Sequence, residues 1–374
     1  MVGNRFEQGL RFRPDDLSSS TTSSNTLKDF ETGYEALSRG ETLNEITYLT
    51  HQADAQHPKV IKETALGNLP SGTRVFEPGP GPVGLAPRIL SANRGRDISI
   101  TVAESNSDFV QEFRRNLAQY EARDGVPAGT YTQSVLIEEG KLDDGFLKKA
   151  AVTVPGGPGE DPVYREIKDK PIPLGPNGEQ YDVVAESAFF NYVNPEVFLR
   201  EMDAALKPGG IIVSHQVAGI EDPSNPDRIF EAAEGVIASV PHSDFQFIER
   251  LLVHTMKNAW RSNFDIHKDV RKVLIDELKY TEVSRVLLKS PMGLQTPEAA
   301  KTFLFLMGRI LSVLNPIAKT YEKMPRPEFA EGKDITYQGL MDMWRNVCAD
   351  FMARKINVPM SLNMLAMTWQ KPKA

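Results

Sequence analysis

Apolar residues along this chain fall into short β-rich runs separated by stretches of helical period, the alternation expected of an α/β protein. The run Arg74-Val-Phe-Glu77 ends in an acid and passes into Pro78-Gly-Pro-Gly-Pro-Val-Gly84, after which Leu85 to Leu90 suit a helix. Ile98-Ser-Ile-Thr-Val-Ala103 reads as a second strand, and a helical pattern follows from Asp108 to Tyr120. Tyr131 to Ile137 reads as a third strand and Tyr181-Asp-Val-Val-Ala-Glu-Ser187 as a short buried fourth. Leu206-Lys-Pro-Gly-Gly-Ile-Ile-Val-Ser-His215 joins a helix end, a glycine turn and a fifth strand.

The flanking regions read differently. Ser/Thr-rich residues close the first 25 positions, too polar to offset the entropy of ordering them, so a flexible leader is expected. Phe30, Tyr34, Leu37, Leu43, Ile46, Tyr48 and Leu49 recur at roughly helical intervals, which places helices before the first strand. The Pro/Gly-rich stretches Val154 to Pro162 and Lys170 to Gly178 form a long surface connection. Tyr164 and Lys168 within it have a spacing used by nicotinamide reductases, but they fall between loop-forming segments and not on a helix. Beyond residue 220, Ile248, Leu251, Leu252, Met256 and Trp260, then Val270, Val273, Leu274 and Leu278, keep a helical period. A mostly helical cap is expected there, and Thr302 to Leu314 is apolar enough to pack on the core or on a second subunit.

Composition narrows the class. With 374 residues and 40% apolar content the chain can bury a large α/β core and a subdomain. Forty-three basic against fifty acidic side chains leave a net charge of −7 without a long basic run, which argues against nucleic acid as partner. A single cysteine, Cys348, excludes an intrachain disulfide and any cysteine-based metal cluster. No apolar stretch approaches the length of about twenty residues needed to span a bilayer, and the N-terminus lacks a signal-peptide apolar region, so cytoplasm is the expected compartment.

The candidate chemistry starts at the glycines. Gly79, Gly81 and Gly84 let the backbone turn tightly and let a ligand approach bare N–H groups. Their spacing also satisfies the dinucleotide fingerprint, so a nicotinamide or flavin enzyme is a competing reading. Glu77, beside the turn, suits a ligand bearing an ammonium group better than a pyrophosphate. Glu104, twenty residues past Gly84 at the tip of the second strand, holds the position of an acid that accepts hydrogen bonds from both ribose hydroxyls of an adenosine cofactor.

Taken in order, these blocks resemble the class I S-adenosylmethionine-dependent methyltransferases. Glu77 to Gly84 is similar to the family's glycine-rich motif, Glu104 to its ribose-binding acid, Tyr181 to Ser187 to its fourth strand, and Leu206 to Gly210 to its LKPGG turn. Leu362-Asn-Met-Leu-Ala-Met-Thr-Trp-Gln-Lys-Pro372 is similar to its terminal antiparallel strand. The resemblance covers Thr73 to Ile212 and the tail, and departs in having Val83 where the family usually has its third glycine. It implies a Rossmann-like sheet, parallel with a C-terminal antiparallel strand, carrying N-terminal helices and a helical cap insertion. The implied organisation is a leader over 1–25, N-terminal helices over 26–70, a cofactor-binding core over 71–219, a cap or dimerisation insertion over 220–335, and a final helix with terminal strands over 336–374.

S-Adenosylmethionine is the implied cofactor, with Glu77, Pro78, Gly79, Gly81, Gly84, Glu104, Ser105, Glu139, Gly140, Glu186 and Ser187 as its site. Which of Glu138 and Glu139 reaches the adenine stays open. Asn191 and Tyr192 are implied to orient substrate, because they follow the strand whose tip lies beside the methyl group. Glu186-Ser-Ala-Phe-Phe-Asn-Tyr192 stands where nucleic-acid amino-methylating enzymes carry Asn/Asp-Pro-Pro-aromatic, which argues against a base nitrogen as target. His215 at the tip of the fifth strand is the candidate general base, with His254 and His267 as further histidines of the insertion. Asp182 and Glu186 share a strand face without a third oxygen ligand, so no metal is expected. The resulting expectation is a methyltransferase acting on a small molecule, with a homodimer through the insertion as the rival role for that segment. A protein or peptide methyltransferase, a non-catalytic cofactor-binding regulator and an NAD(P)-dependent oxidoreductase are the alternatives.

Overall fold

The structure is a computed structural model that describes residues 45–104, 106–139, 153–154, 163–164, 178–187, 195–217, 242–258, 270–292, 297–353 and 360–373. The leader, Tyr34, Ser105, Gly140, Lys168, Asn191, Tyr192, Trp260 and His267 lie outside these residues.

Helix α1 (Glu45–Glu63) precedes strand β1 (Thr73–Pro78), helix α2 (Ala86–Ala92), strand β2 (Ile98–Glu104) and helix α3 (Ser107–Asp124). The last of these starts where the Asn106 side chain accepts from the N–H groups of Asp108 and Phe109, and stops at Gly125, whose φ of 66° is left-handed. A short helix α4 (Thr130–Ser134) leads into β3 (Val135–Glu139), and a small antiparallel pair, β4 (Thr153–Val154) with β5 (Val163–Tyr164), follows. Then come β6 (Tyr181–Ser187), α5 (Pro195–Ala205), β7 (Leu206–Val217), α6 (Ser243–Asn258), a π-helical turn (Lys272–Glu277), β8 (Thr281–Met292), α7 (Pro297–Lys323), α8 (Tyr337–Met352) and β9 (Met360–Gln370).

Among the described residues, seven strands form one sheet in the order β3-β2-β1-β6-β7-β9-β8. Neighbours are parallel from β3 through β7, and β9 runs antiparallel to both β7 and β8, so of these seven β9 alone is reversed. The parallel sheet with a reversed C-terminal strand is thus present. The strand order turns back between β1 and β6, and in open α/β sheets such a switch point opens a crevice at the carboxyl ends of the strands.

Alternation of side chains divides the core into two layers. Val75, Val183, Val213 and Met364 face a layer built with Val60 of α1, Ile89 of α2, Phe113 of α3, Ile248 of α6, Leu314 of α7 and Trp344 of α8. Their neighbours Phe76, Val184, Ile212 and Leu365 face Phe198 and Met202 of α5 and Leu274 of the π-helical turn. Each strand therefore reads as apolar on both faces, as the continuous runs require.

Three elements differ from the sequence reading. Tyr131 lies in α4 and not in a strand, because the buried Glu121 carboxylate accepts from the N–H groups of Gly129, Tyr131 and Thr132 and gathers them into a helical turn. The LKPGG segment is a bulge at the start of β7: Leu206 pairs with Tyr181 and Ile211 with Val183, leaving Lys207 to Gly210 opposite Asp182. Strand β8 lies inside the stretch read as mostly helical, where α6 and α7 are also found. No helix among the described residues is long and apolar enough to cross a membrane.

Candidate active site

Glu77 enters the crevice from β1 and is 1% exposed. Its Oε1 accepts from the N–H of Leu85 at 2.5 Å and its Oε2 from that of Ala86 at 2.9 Å, so both oxygens hold the far end of the glycine turn. Burial pushes this carboxyl up to about 7, against the pull of the two N–H groups and of Arg88. The turn is pinned along its length: Gly79 N–H donates to Ala103 O at 2.8 Å and Gly84 N–H to Pro80 O at 2.9 Å. Pro78, the last residue of β1, is buried beside Ala103.

Two of the glycines have opposite surroundings. Gly84 has a φ of 58°, and a β-carbon on it would lie 2.7 Å from Phe113 Cε2 and 2.9 Å from Pro80 Cβ. Gly81 has a φ of 61° and, among the described residues, nothing lies within 4 Å of that position. One glycine lets the turn pack against α3, and the other leaves its backbone bare.

Glu104, 6% exposed at the tip of β2, joins the two loops. Its Oε2 accepts from Gly81 N–H at 3.0 Å and its Oε1 from Asn106 N–H at 2.9 Å. Glu139 is level with Glu104 on the neighbouring strand, is largely exposed, and lies 3.7 Å from Arg114 Nη2.

At the tips of β6 and β7, alternation sends polar side chains to both faces of the sheet. Glu186, fully buried, accepts from Gln216 Nε2 at 2.6 Å on both oxygens and is also bonded to Ser214 Oγ. On the opposite face, Ser187 Oγ lies 2.9 Å from His215 Nδ1 and 3.2 Å from His57 Nε2. His57 belongs to α1, and its Nδ1 lies 2.9 Å from the carbonyl oxygen of Gly84. Helix α1 is fastened next to this point by Asp54 Oδ1, which accepts from Arg88 Nη2 at 2.8 Å. Burial is the main cause holding both histidines neutral: it drives His215 down to about 3, and His57, repelled further by Arg88 and His215, well below its ordinary value. His215 Nε2 is buried and, among the described residues, has no hydrogen-bond partner.

The structure therefore gathers Glu77, Pro78, Gly79, Gly81, Gly84 and Glu104 around one turn, and Ser187 and His215 beside it. Glu186 turns to the other sheet face, and Glu139 stands at the outer strand. Sequence reasoning missed His57, which belongs to no motif and reaches the site only because α1 crosses the glycine turn. It also missed Gln216, whose buried amide oxygen has no partner among the described residues. Asp182 lies at the start of β6, where it accepts from Arg74 N–H at 2.8 Å and pairs with Lys207. Among the described residues no three His, Cys, Asp or Glu side chains are grouped to hold a metal. His254 is bonded to Tyr321 at 2.7 Å, on α6 and α7.

No family model and no curated protein matches the chain. Solved structures do. A cyclopropane-fatty-acyl-phospholipid synthase-like protein from Lactobacillus casei aligns over 91% of this chain and 99% of its own, with a TM-score of 0.46 and 10% identity. Coclaurine N-methyltransferase bound to N-methylheliamine and SAH aligns over 94% and 89%, with a TM-score of 0.41 and 10% identity. Geranyl diphosphate methyltransferase in complex with SAM aligns over 96% and 93%, with a TM-score of 0.40 and 10% identity. The fold is an open, mostly parallel α/β sheet whose strand β9 is reversed. At 10% identity these likenesses concern the course of the backbone only.

Proposed function

We propose that this protein binds S-adenosylmethionine at the carboxyl ends of β1 and β2 and methylates a small-molecule acceptor held under the segment 220–335. The observation that carries the reading is the pairing of Glu104 with Gly81: a nearly buried carboxylate bonded to the N–H of a glycine whose α-carbon has no close neighbour among the described residues, beside the switch point of the sheet. That donor and acceptor set fits an adenosine ribose, whose two hydroxyls donate to Glu104. The glycine backbone leaves room for the rest of the cofactor. Glu77 keeps the turn in shape by accepting from the N–H groups of Leu85 and Ala86. Glu139 is the acid within reach of the adenine end, at the tip of the strand next to Glu104.

When bound, S-adenosylmethionine supplies a sulfonium methyl group that a nucleophile displaces in line, a reaction aided chiefly by holding the reactants in contact. The part of this chain is to bind, to orient and to receive a proton, and His215 is the residue assigned to the last task. Placement of α6 and α7 on the same sheet face as His215 supports an acceptor site between the sheet and the 220–335 segment.

Calorimetric titration of the purified protein with S-adenosylmethionine, S-adenosylhomocysteine, NAD⁺ and NADP⁺ tests the cofactor. Selective binding of the two sulfur nucleotides is expected, with loss of affinity in Glu104→Ala. Selective binding of a nicotinamide nucleotide, or of none of the four, would overturn it.

A further inference from the structure

His57, Ser187 and His215 come from α1, β6 and β7 and form one hydrogen-bonded line of buried or half-buried side chains. The direction of the line follows from proton inventory. A carbonyl oxygen can only accept, so His57 Nδ1 carries the proton it gives to Gly84. In the neutral ring Nε2 is then a lone pair, and Ser187 must donate its single hydroxyl proton to it. Ser187 has no second proton for His215, so it accepts there and His215 Nδ1 is the donor. The proton of a neutral His215 is thereby assigned to Nδ1, and Nε2 is left as a bare lone pair with no partner among the described residues.

Resting on the methyltransferase reading, we propose that His57 and Ser187 are positioning residues that fix the tautomer of His215, and that His215 Nε2 receives a neutral hydroxyl group of the acceptor. The orphaned nitrogen is an acceptor only, so its partner must be a donor, and a buried polar atom left without one is unfavourable. A hydroxyl supplies a donor without bringing a charge into this buried site. On methylation the acceptor oxygen would form its bond to the methyl carbon as the C–S bond breaks with its electron pair left on sulfur; the O–H pair would stay on oxygen, and the proton would pass to the Nε2 lone pair to give an imidazolium. An imidazole can take a proton from an oxygen made strongly acidic by methylation, yet is too weak a base to strip an alkylammonium beforehand. The acceptor is accordingly an alcohol, phenol or enol in preference to an ammonium.

The relay can be read without turnover. Long-range ¹H–¹⁵N correlation on the full chain, labelled at histidine nitrogens and saturated with S-adenosylhomocysteine, distinguishes a protonated from a bare ring nitrogen. For His215 we expect a protonated Nδ1 and a bare Nε2 in the wild type, a tautomer mixture in Ser187→Ala, and recovery in Ser187→Thr, which restores the hydroxyl. Phenol, added as a neutral hydroxyl probe, is expected to shift the Nε2 resonance, and benzylammonium to leave it in place. A protonated Nε2 in the wild type, an unchanged tautomer in Ser187→Ala, or a Nε2 resonance unmoved by phenol would each overturn the proposal. Its failure is separable from that of the methyltransferase reading, because nucleotide affinity is measured independently and the tautomer can be recorded with or without the nucleotide.

Discussion

Gly84 sits so close to Phe113 that any side chain at 84 would begin 2.7 Å from the ring's Cε2. The contact joins the glycine turn to α3, and the left-handed φ of 58° adds a second bar to other residues. Gly84→Ala should therefore cost roughly 3 kcal/mol or more of stability, from overpacking together with backbone strain. Gly81→Ala meets no atom of the described residues within 4 Å and should cost only about 1–2 kcal/mol for its conformation, while weakening nucleotide binding more than its stability loss suggests. Urea denaturation and calorimetry on the two variants check this opposed pattern. A Gly84→Ala protein as stable as the wild type would show that the turn is looser than described.

Glu104→Gln keeps an oxygen for Gly81 or Asn106 but removes the charge that strengthens hydrogen bonds from ribose hydroxyls. A loss of about 1.5–3 kcal/mol in S-adenosylmethionine binding, or roughly ten- to a hundred-fold in Kd, is expected by titration calorimetry. Unaltered affinity would remove Glu104 from the cofactor site.

Asp54 and Arg88 hold α1 over the turn as a nearly buried ion pair, with side chains 17% and 6% exposed. Asp54→Leu should cost about 3 kcal/mol by leaving the guanidinium buried without its carboxylate. Replacing both, Asp54→Leu with Arg88→Met, should cost less than that single change, which a double-mutant cycle in urea would detect.

The titrating groups at the site act in opposite senses. His57 and His215 have depressed values in the folded protein, so their contribution is present above about 6.5 and is lost as pH falls below it, at about 1.4 kcal/mol per pH unit for each group. Glu77 has a raised value, so its contribution is present below about 4.5 and is lost as pH rises through about 7, with a slope of similar size and opposite sign. Between pH 6.5 and 4.5 the trio should lower stability by about 1.4 kcal/mol for each unit of acidification. His215→Asn should flatten the measured curve by that same slope relative to wild type, since other carboxylates titrate equally in both proteins. Parallel curves would mean that His215 is already charged in the folded state.

Much of this fold can be read from adjacent residues. The apolar runs at Val75, Ile100, Val183 and Ile212 are strands because each is covered on both faces, and the glycines after Glu77 mark the turn because no other residue fits at Gly84. What escaped depends on partners far along the chain. Tyr131 looks like the start of a strand until the Glu121 carboxylate captures its N–H. Strand β8 looks like part of a helical insertion until β9 supplies its ladder. The candidate site divides in the same way: Glu77 and Glu104 follow from spacing, whereas His57 enters from a helix whose packing no local pattern reveals. Ser187, read as a nucleotide ligand, also stands between two histidines, a contact that no local pattern shows.

Strand β9 lies between β7 and β8 although it is made after both. During synthesis β7 must wait with one edge open, and β8 emerges with no neighbour in the sheet at all. Until residues 360–370 have left the ribosome, both edges can pair with another nascent chain. Strand β9 thus acts as a keystone, closing with one element the edges that β7 and β8 leave open until it arrives.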